Sequence, residues 1–401
     1  MALVTKSFSD IITFTRASTA TYFDATGTLQ SAAINTPRFD YNPSTLAAQG
    51  LLIEEARTNS IRNNTMQGAV AGTPGTLPTN WAVSNLGTLT QQVVGTGTVN
   101  GITYIDIRFS GTTSTTQLSI RLEPNGTLAV PASNGQTWTI SMWSAIVGGG
   151  LTNITSRGYS LLYWDNANGF LGGGGAGTFN STATLMRSSE AVTIAQVGTT
   201  FIQPQIYLVF NSGVAIDITL RIGLPQLEQG AFVTSVIPTT TTALTRSADV
   251  ASVNTLSPWY NATEGTLFAQ YIRAGLTVSG GAAGFDDGTA NNMIRFVFGT
   301  ATPANQRFDV NTGGVSQAAI LVNATGVVNT LYKDAGAYKL NDIAATENGA
   351  VVGVDTAATI PTVNILRLGT NPIGAYLNGW IQRFTYYPTR LSNAQLQAIT
   401  A

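Results

Sequence analysis

Apolar and polar residues alternate with a period of two in segment after segment of this 401-residue chain. Ile216, Ile218, Leu220, Ile222 and Leu224 alternate with Asp217, Thr219, Arg221 and Gly223. Leu118, Ile120 and Leu122 alternate with Gln117, Ser119 and Arg121, and Trp138, Ile140 and Met142 with Thr137, Thr139 and Ser141. In an extended strand successive side chains point to opposite faces, so such segments bury one face and wet the other. Gly, Asn and Pro turns separate them. The pattern predicts an all-β chain: an N-terminal extended or hairpin segment, then two antiparallel β-sandwich domains of jelly-roll type. Helical spacing occurs once, at the end. Ser392 and Gln395 stand at capping-box spacing, with Leu391 and Leu396 at the staple positions, which predicts a short helix over about 393–399.

Composition shifts suggest the organisation. Residues 1–62 hold the Glu54-Glu55 pair and many polar turns, and 63–80 read as loop. Residues 238–258 lack aromatic side chains and have weak periodicity, as a connection would. The expected parts are an N-terminal particle-docking or assembly segment (1–62), a first sandwich (63–237), a linker (238–258) and a second sandwich (259–401).

Only 10% of the chain is charged and 43% is hydrophobic, against roughly 25% charged in an ordinary soluble domain. There is no His and no Cys. Ser-His-Asp triads, thiol nucleophiles, disulfides and Cys-bearing zinc sites are therefore excluded. A net charge of −1 gives no electrostatic reason to expect nucleic acid as a partner. The N-terminal residues lack the apolar core of a signal peptide, and no apolar run is long enough for a membrane helix, so no membrane insertion is expected.

Residues 12–59 carry a more specific signal. Arg16 to Tyr22 (RASTATY), the turn residues Asp24 and Gly27, Pro37 to Tyr41 (PRFDY), Gly50 to Glu54 (GLLIE), and Ala56 to Asn59 (ARTN) follow one another. This segment resembles an N-terminal segment common in bacteriophage and prophage head, tail-fibre or spike virion proteins. Residues 63–237, ending LRIGLPQLEQGAFVTSVIPTT, are similar to a carbohydrate-binding-module jelly roll. Residues 259–401 resemble a laminin-G or concanavalin-like lectin sandwich, through Gly265 to Ala269, Ala337 to Asp342, Asn348-Gly349 and Asn378 to Pro388. The resemblance implies a virion-surface protein, on head or tail, whose partners are other virion structural proteins and host cell-surface glycan, as a homo-oligomer such as a trimer. Fold resemblance transfers no activity by itself.

Tyr163-Trp164-Asp165-Asn166-Ala167-Asn168-Gly169 runs from a strand into a turn. Sugars stack on exposed aromatic faces and accept or donate hydrogen bonds to Asp and Asn. Alternation sends either Tyr163 or Trp164 outward, beside Asp165, Asn166 and Asn168, which makes a candidate carbohydrate platform. The competing reading puts Trp164 in the core and leaves Asp165 to cap the turn. Asp286, Asp287 and Asn291 gather oxygen atoms in a loop, a candidate Ca²⁺ site, although Asp-Asp-Gly-Thr is also an ordinary turn. Trp138 is expected in the core, Trp143 exposed or against a neighbouring module, and Trp81, Trp259 and Trp380 in packing roles. The glycine runs at 148–150 and 172–175 read as hairpin tips or points of close backbone approach.

Glycoside hydrolysis needs two carboxyls about 5–9.5 Å apart. Glu54 and Glu55 are adjacent and would point to opposite faces of a strand. No other pair shows a signature, so no enzymatic activity is expected. The reading is a fibre, spike or decoration protein that adsorbs to host polysaccharide. The alternatives are a purely structural spacer and, behind it, a polysaccharide depolymerase.

Overall fold

Strand after strand among the described residues pairs antiparallel, as the period-two pattern leads one to expect. A computed structural model describes residues 7–276, 280–299 and 305–401. The architecture is all-β, in multiple antiparallel sheets closed by a short C-terminal helix, Asn393–Thr400. Ser392 caps that helix through the Gln395 backbone N–H, and Gln395 returns the bond to the Ser392 backbone. Leu396 is fully buried against Phe268, Ala335, Ala337 and Ala344. No helix among the described residues is long and apolar enough to cross a membrane.

The chain divides into two compact units. The middle unit comprises Arg57–Arg246 with Thr28–Gln30. One of its sheets runs in the order Phe170–Gly177, Ile154–Trp164, Phe201–Phe210, Gln117–Arg121, Ala82–Ser84. The other runs Met186–Thr193, Thr137–Gly149, Ala215–Gln229, Ile102–Thr112, Thr90–Val99. The alternating residues of the sequence meet between them: Leu118, Ile120, Trp138, Ile140, Met142, Ile218 and Leu220 belong to one buried cluster. Trp143 is also buried, with Arg187 stacked 4.7 Å above its ring. Trp81 is buried and donates its indole N–H to the Asn63 carbonyl at 3.0 Å.

The other unit joins residues up to Gly27 and Ser31–Ala56 to Ser247–Ala401. One seven-stranded sheet begins with Thr13–Thr15 and Val250–Val253 and continues to Val315–Asn323. The second ends with Gly379–Tyr387, Ala48–Ile53 and Phe39–Tyr41. The early residues thus supply strands to both sheets of the later sandwich, so the segment expected at 1–62 is not structurally separate from it. The expected linker 238–258 also differs. It contains the strands Leu244–Arg246 and Val250–Val253, with the buried Asp249 between them. Three- and four-residue strands are too short to show periodicity, which is why their sequences read as loop.

The motif's charges explain the joining. Arg16 donates Nη1 to Asp249 Oδ1 at 3.1 Å and further bonds to the carbonyls of Ser18, Thr36 and Ala33. Arg38 reaches Asp249 Oδ2 at 2.5 Å and Glu54 Oε2 at 2.8 Å. The Glu54 backbone N–H donates to Asp249 as well, at 2.9 Å. Asp40 accepts from the Phe23 N–H at 2.7 Å and the Trp380 indole at 2.8 Å. Asp24 closes its turn by accepting from Thr26, with Gly27 at φ +74°.

Candidate functional site

The open face of the Ile154–Trp164 sheet carries the most site-like surface. On that strand Tyr159, Leu161 and Tyr163 point into the core, while Ser160, Leu162 and Trp164 line a groove of about 450 Å³ on the other face. Parity does the same on the neighbours. Gln117 and Arg121 of Gln117–Arg121 face the groove, as does Gln205 of Phe201–Phe210. Register aligns Arg121, Gln205 and Ser160 as one rung across three strands. Gln205 Nε2 donates to Ser160 Oγ at 3.0 Å, and Arg121 Nη1 to Gln203 Oε1 at 2.6 Å.

Trp164 and Phe170 form the aromatic end. Their ring centroids lie 5.4 Å apart in an edge-to-face arrangement, and Phe170 is 59% exposed. Beside them the strand Phe170–Gly177 presents Gly173, Gly174 and Gly175 to the groove, so that wall has no side chains to fill it. The run 172–175 is therefore strand rather than hairpin tip. The close approach read from the sequence does occur on its inner side. A Cβ on Gly174 would stand 1.9 Å from the Tyr163 hydroxyl oxygen.

Three buried polar atoms along this face, Trp164 Nε1, Gln205 Oε1 and Arg121 Nε, have no hydrogen-bond partner. Leaving such groups without a partner costs about 1–3 kcal/mol each. Burial holds the Arg121 guanidinium below the usual arginine range. Burial pushes the Tyr163 phenol up.

The sequence-based platform is therefore only partly assembled. Trp164 faces the groove and Tyr163 is core. Asp165 Oδ1 accepts from the Ala167 and Gly169 backbone N–H groups at 2.8 and 2.6 Å, so it builds the turn. Asn168 sits at φ +64° and its Oδ1 accepts from the Thr127 N–H at 2.7 Å. Asn166 is exposed at the turn's tip. Sequence reading missed Phe170, Gln117, Arg121, Ser160 and Gln205. The signal was present in the polar positions of Gln117-Leu118-Ser119-Ile120-Arg121, which alternation assigned simply to water.

The structure places the candidate Ca²⁺ residues Asp286, Asp287 and Asn291 at the end of a strand and in the turn after it. Asp286 is buried and paired with Arg367 Nε at 2.8 Å, and it accepts from the Gly288 N–H at 2.7 Å. Asp287 accepts from Thr289 and from Asn292 Nδ2 at 2.8 Å. Asn291 is exposed. The carboxylate oxygens are occupied in turn-building and ion pairing, and among the described residues no group of three acidic side chains could hold a metal.

Two other hollows lack this combination. A 920 Å³ cleft in the other unit is lined largely by Phe8, Ile11, Phe39, Leu366 and Phe384. A 460 Å³ hollow on the second sheet of the middle unit holds Asp106, Arg108, Asp217 and Arg221, which pair with one another. One buried carboxyl pair lies elsewhere. Asp334 and Glu347 face each other across adjacent strands, with the Tyr271 hydroxyl 2.8 Å from Asp334 Oδ2. Burial, and then the partner carboxyl, holds Asp334 well above the usual carboxylate range, and burial pushes Glu347 up to about 7. Both are closed from solvent, at 1% and 5% exposure, so the pair lines no groove.

No family model and no curated protein matches the chain. Solved structures that resemble it include the CBM40 module of a Ruminococcus gnavus IT-sialidase, at 16% identity over 35% of this chain and 84% of that one, TM-score 0.30. The mouse laminin alpha1 domains LG4-5 match at 11% identity over 76% and 94%, TM-score 0.27. The baseplate tripod of bacteriophage Tuc2009 matches at 12% over 82% and 98%, TM-score 0.29. At these scores the likeness carries no argument about function.

Proposed function

We propose that the chain is a virion-surface fibre, spike or decoration protein whose middle unit binds glycan in the groove under Trp164. One observation supports the binding reading above the rest. Two partly exposed aromatic rings, Trp164 and Phe170, stand at one end of an open groove whose floor is a row of Gln, Ser and Arg side chains. Sugars present apolar ring faces and hydroxyl edges, and this surface offers a counterpart to each. Adsorption to host polysaccharide then works by many weak sites held on one particle, which accords with display as a homo-oligomer, such as a trimer. The virion placement rests on the resemblance of residues 12–59 to the N-terminal segments of phage proteins.

A second reading is a structural spacer without glycan binding. The best-matched charges, Arg16, Arg38 and Glu54, are spent inside the fold, so particle docking would have to use other, exposed residues. Binding of the whole chain to host-derived polysaccharide, measured with and without Ca²⁺ and with a check for released sugar, separates the readings. Binding without release supports adsorption. No binding leaves the spacer, and release would mean a depolymerase.

A further inference from the structure

Two arginines on the open faces of the middle unit are each neutralised by a carboxylate. Arg108 holds Asp217 with two bonds of 2.8 and 2.7 Å, and Arg221 holds Asp106 with two of 2.9 and 2.8 Å. Arg121 differs from those two. It is half-buried in the groove floor, and no carboxylate pairs with it. Its hydrogen bond is to the neutral amide of Gln203, through Nη1. The groove's other polar lining, Asn85, Gln117, Ser160 and Gln205, is uncharged, and no Asp or Glu faces it.

A guanidinium stays protonated in proteins, so this charge cannot be shed by titration. A half-desolvated cation without a counter-ion is costly, and an incoming anion relieves that cost. Register sets Arg121 beside Gln205 and Ser160, one rung from the Leu162–Gly173 position that leads to Trp164. A sugar ring stacked at the aromatic end would extend along the floor towards the guanidinium.

We infer that the groove selects an acidic glycan, with a sugar carboxylate received by Arg121 while a ring stacks at Trp164 and Phe170. This rests on the glycan-binding reading and adds the charge class of the ligand. A planar carboxylate fits the planar fork of donors, whereas a hydroxyl leaves the charge unmatched.

The test uses the full chain and uronic-acid oligosaccharides (glucuronate, galacturonate and mannuronate series), each compared with its carboxyl-reduced, neutral counterpart by calorimetric titration. At least one acidic series should bind about tenfold or more tighter than its neutral form, the usual scale for a charge-assisted hydrogen bond. That preference should weaken as salt rises from ~0.05 to ~0.5 M, as the Debye length shortens. Arg121→Gln should abolish the preference and Arg121→Lys should keep part of it, while Trp164→Ala should weaken acidic and neutral forms alike. Neutral forms binding as tightly as acidic ones, in a Trp164-dependent way, would overturn the acidic assignment and leave glycan binding standing. No binding by any member, or an unchanged preference in a folded Arg121→Gln protein, would overturn it as well, the former together with the glycan reading.

Discussion

Arg16 and Asp249 stand 233 positions apart in the sequence and meet as an ion pair of 3.1 Å with both side chains fully buried. Arg38 takes the other oxygen of the same carboxylate. Residues 16–38 are therefore tied to the segment just before Val250–Val253 by one acidic residue. Buried pairs of this kind gain little over apolar packing, but breaking one side strands a charge at a cost of about 3–5 kcal/mol. Asp249→Ala should lower the unfolding free energy of the full chain by that order, read by chemical denaturation. A loss below ~1 kcal/mol would mean that the two arginines find other partners.

The Asp334–Glu347 pair sets a pH dependence. Glu347 is pushed up to about 7 from an ordinary value of 4.5, and Asp334 is raised well above its own. The folded state therefore binds more protons than the unfolded state above pH 4.5. Stability from this pair is complete below that point and is lost as pH rises through about 7. The melting temperature should be higher at pH 5 than at pH 8, and Glu347→Gln should flatten the slope. A wild-type curve that rises across this window would contradict the assignment.

Much of the fold was legible because alternation directly reports a two-faced sheet. The segments 117–122, 137–142 and 216–224 fell where expected, as did the Ser392-capped helix. What was illegible came from long-range pairing. Thr13–Thr15 and Phe39–Tyr41 are three residues each, too short to carry a period, and only the partners Val250–Val253 and Ala48–Ile53 make them strands. The site was half legible for the same reason. Trp164 could be named from its own strand, but Arg121, Ser160 and Gln205 become a set only through cross-strand register. Asp165 and Asn168 take part in the turn's own hydrogen bonds, because the residue types that contact sugars also build turns.

The glycine wall makes a local prediction. A methyl group on Gly174 would collide with the Tyr163 hydroxyl, which sits in a packed core. Gly174→Ala should destabilise the middle unit by about 1–3 kcal/mol, the usual range for overpacking. Adding Tyr163→Phe, which removes the worst-clashing atom but leaves the ring carbon 2.9 Å away, should recover part of it. Thermal unfolding of the single and double variants checks this, and equal losses in both would place the strain elsewhere.

The central claim is that the Trp164 groove binds glycan. The most direct measurement is the affinity of the full chain for host-surface polysaccharide, wild type against Trp164→Ala, with folding verified by circular dichroism. A loss of about tenfold or more is expected, the scale of a central aromatic contact. A folded Trp164→Ala protein with unchanged affinity would contradict it.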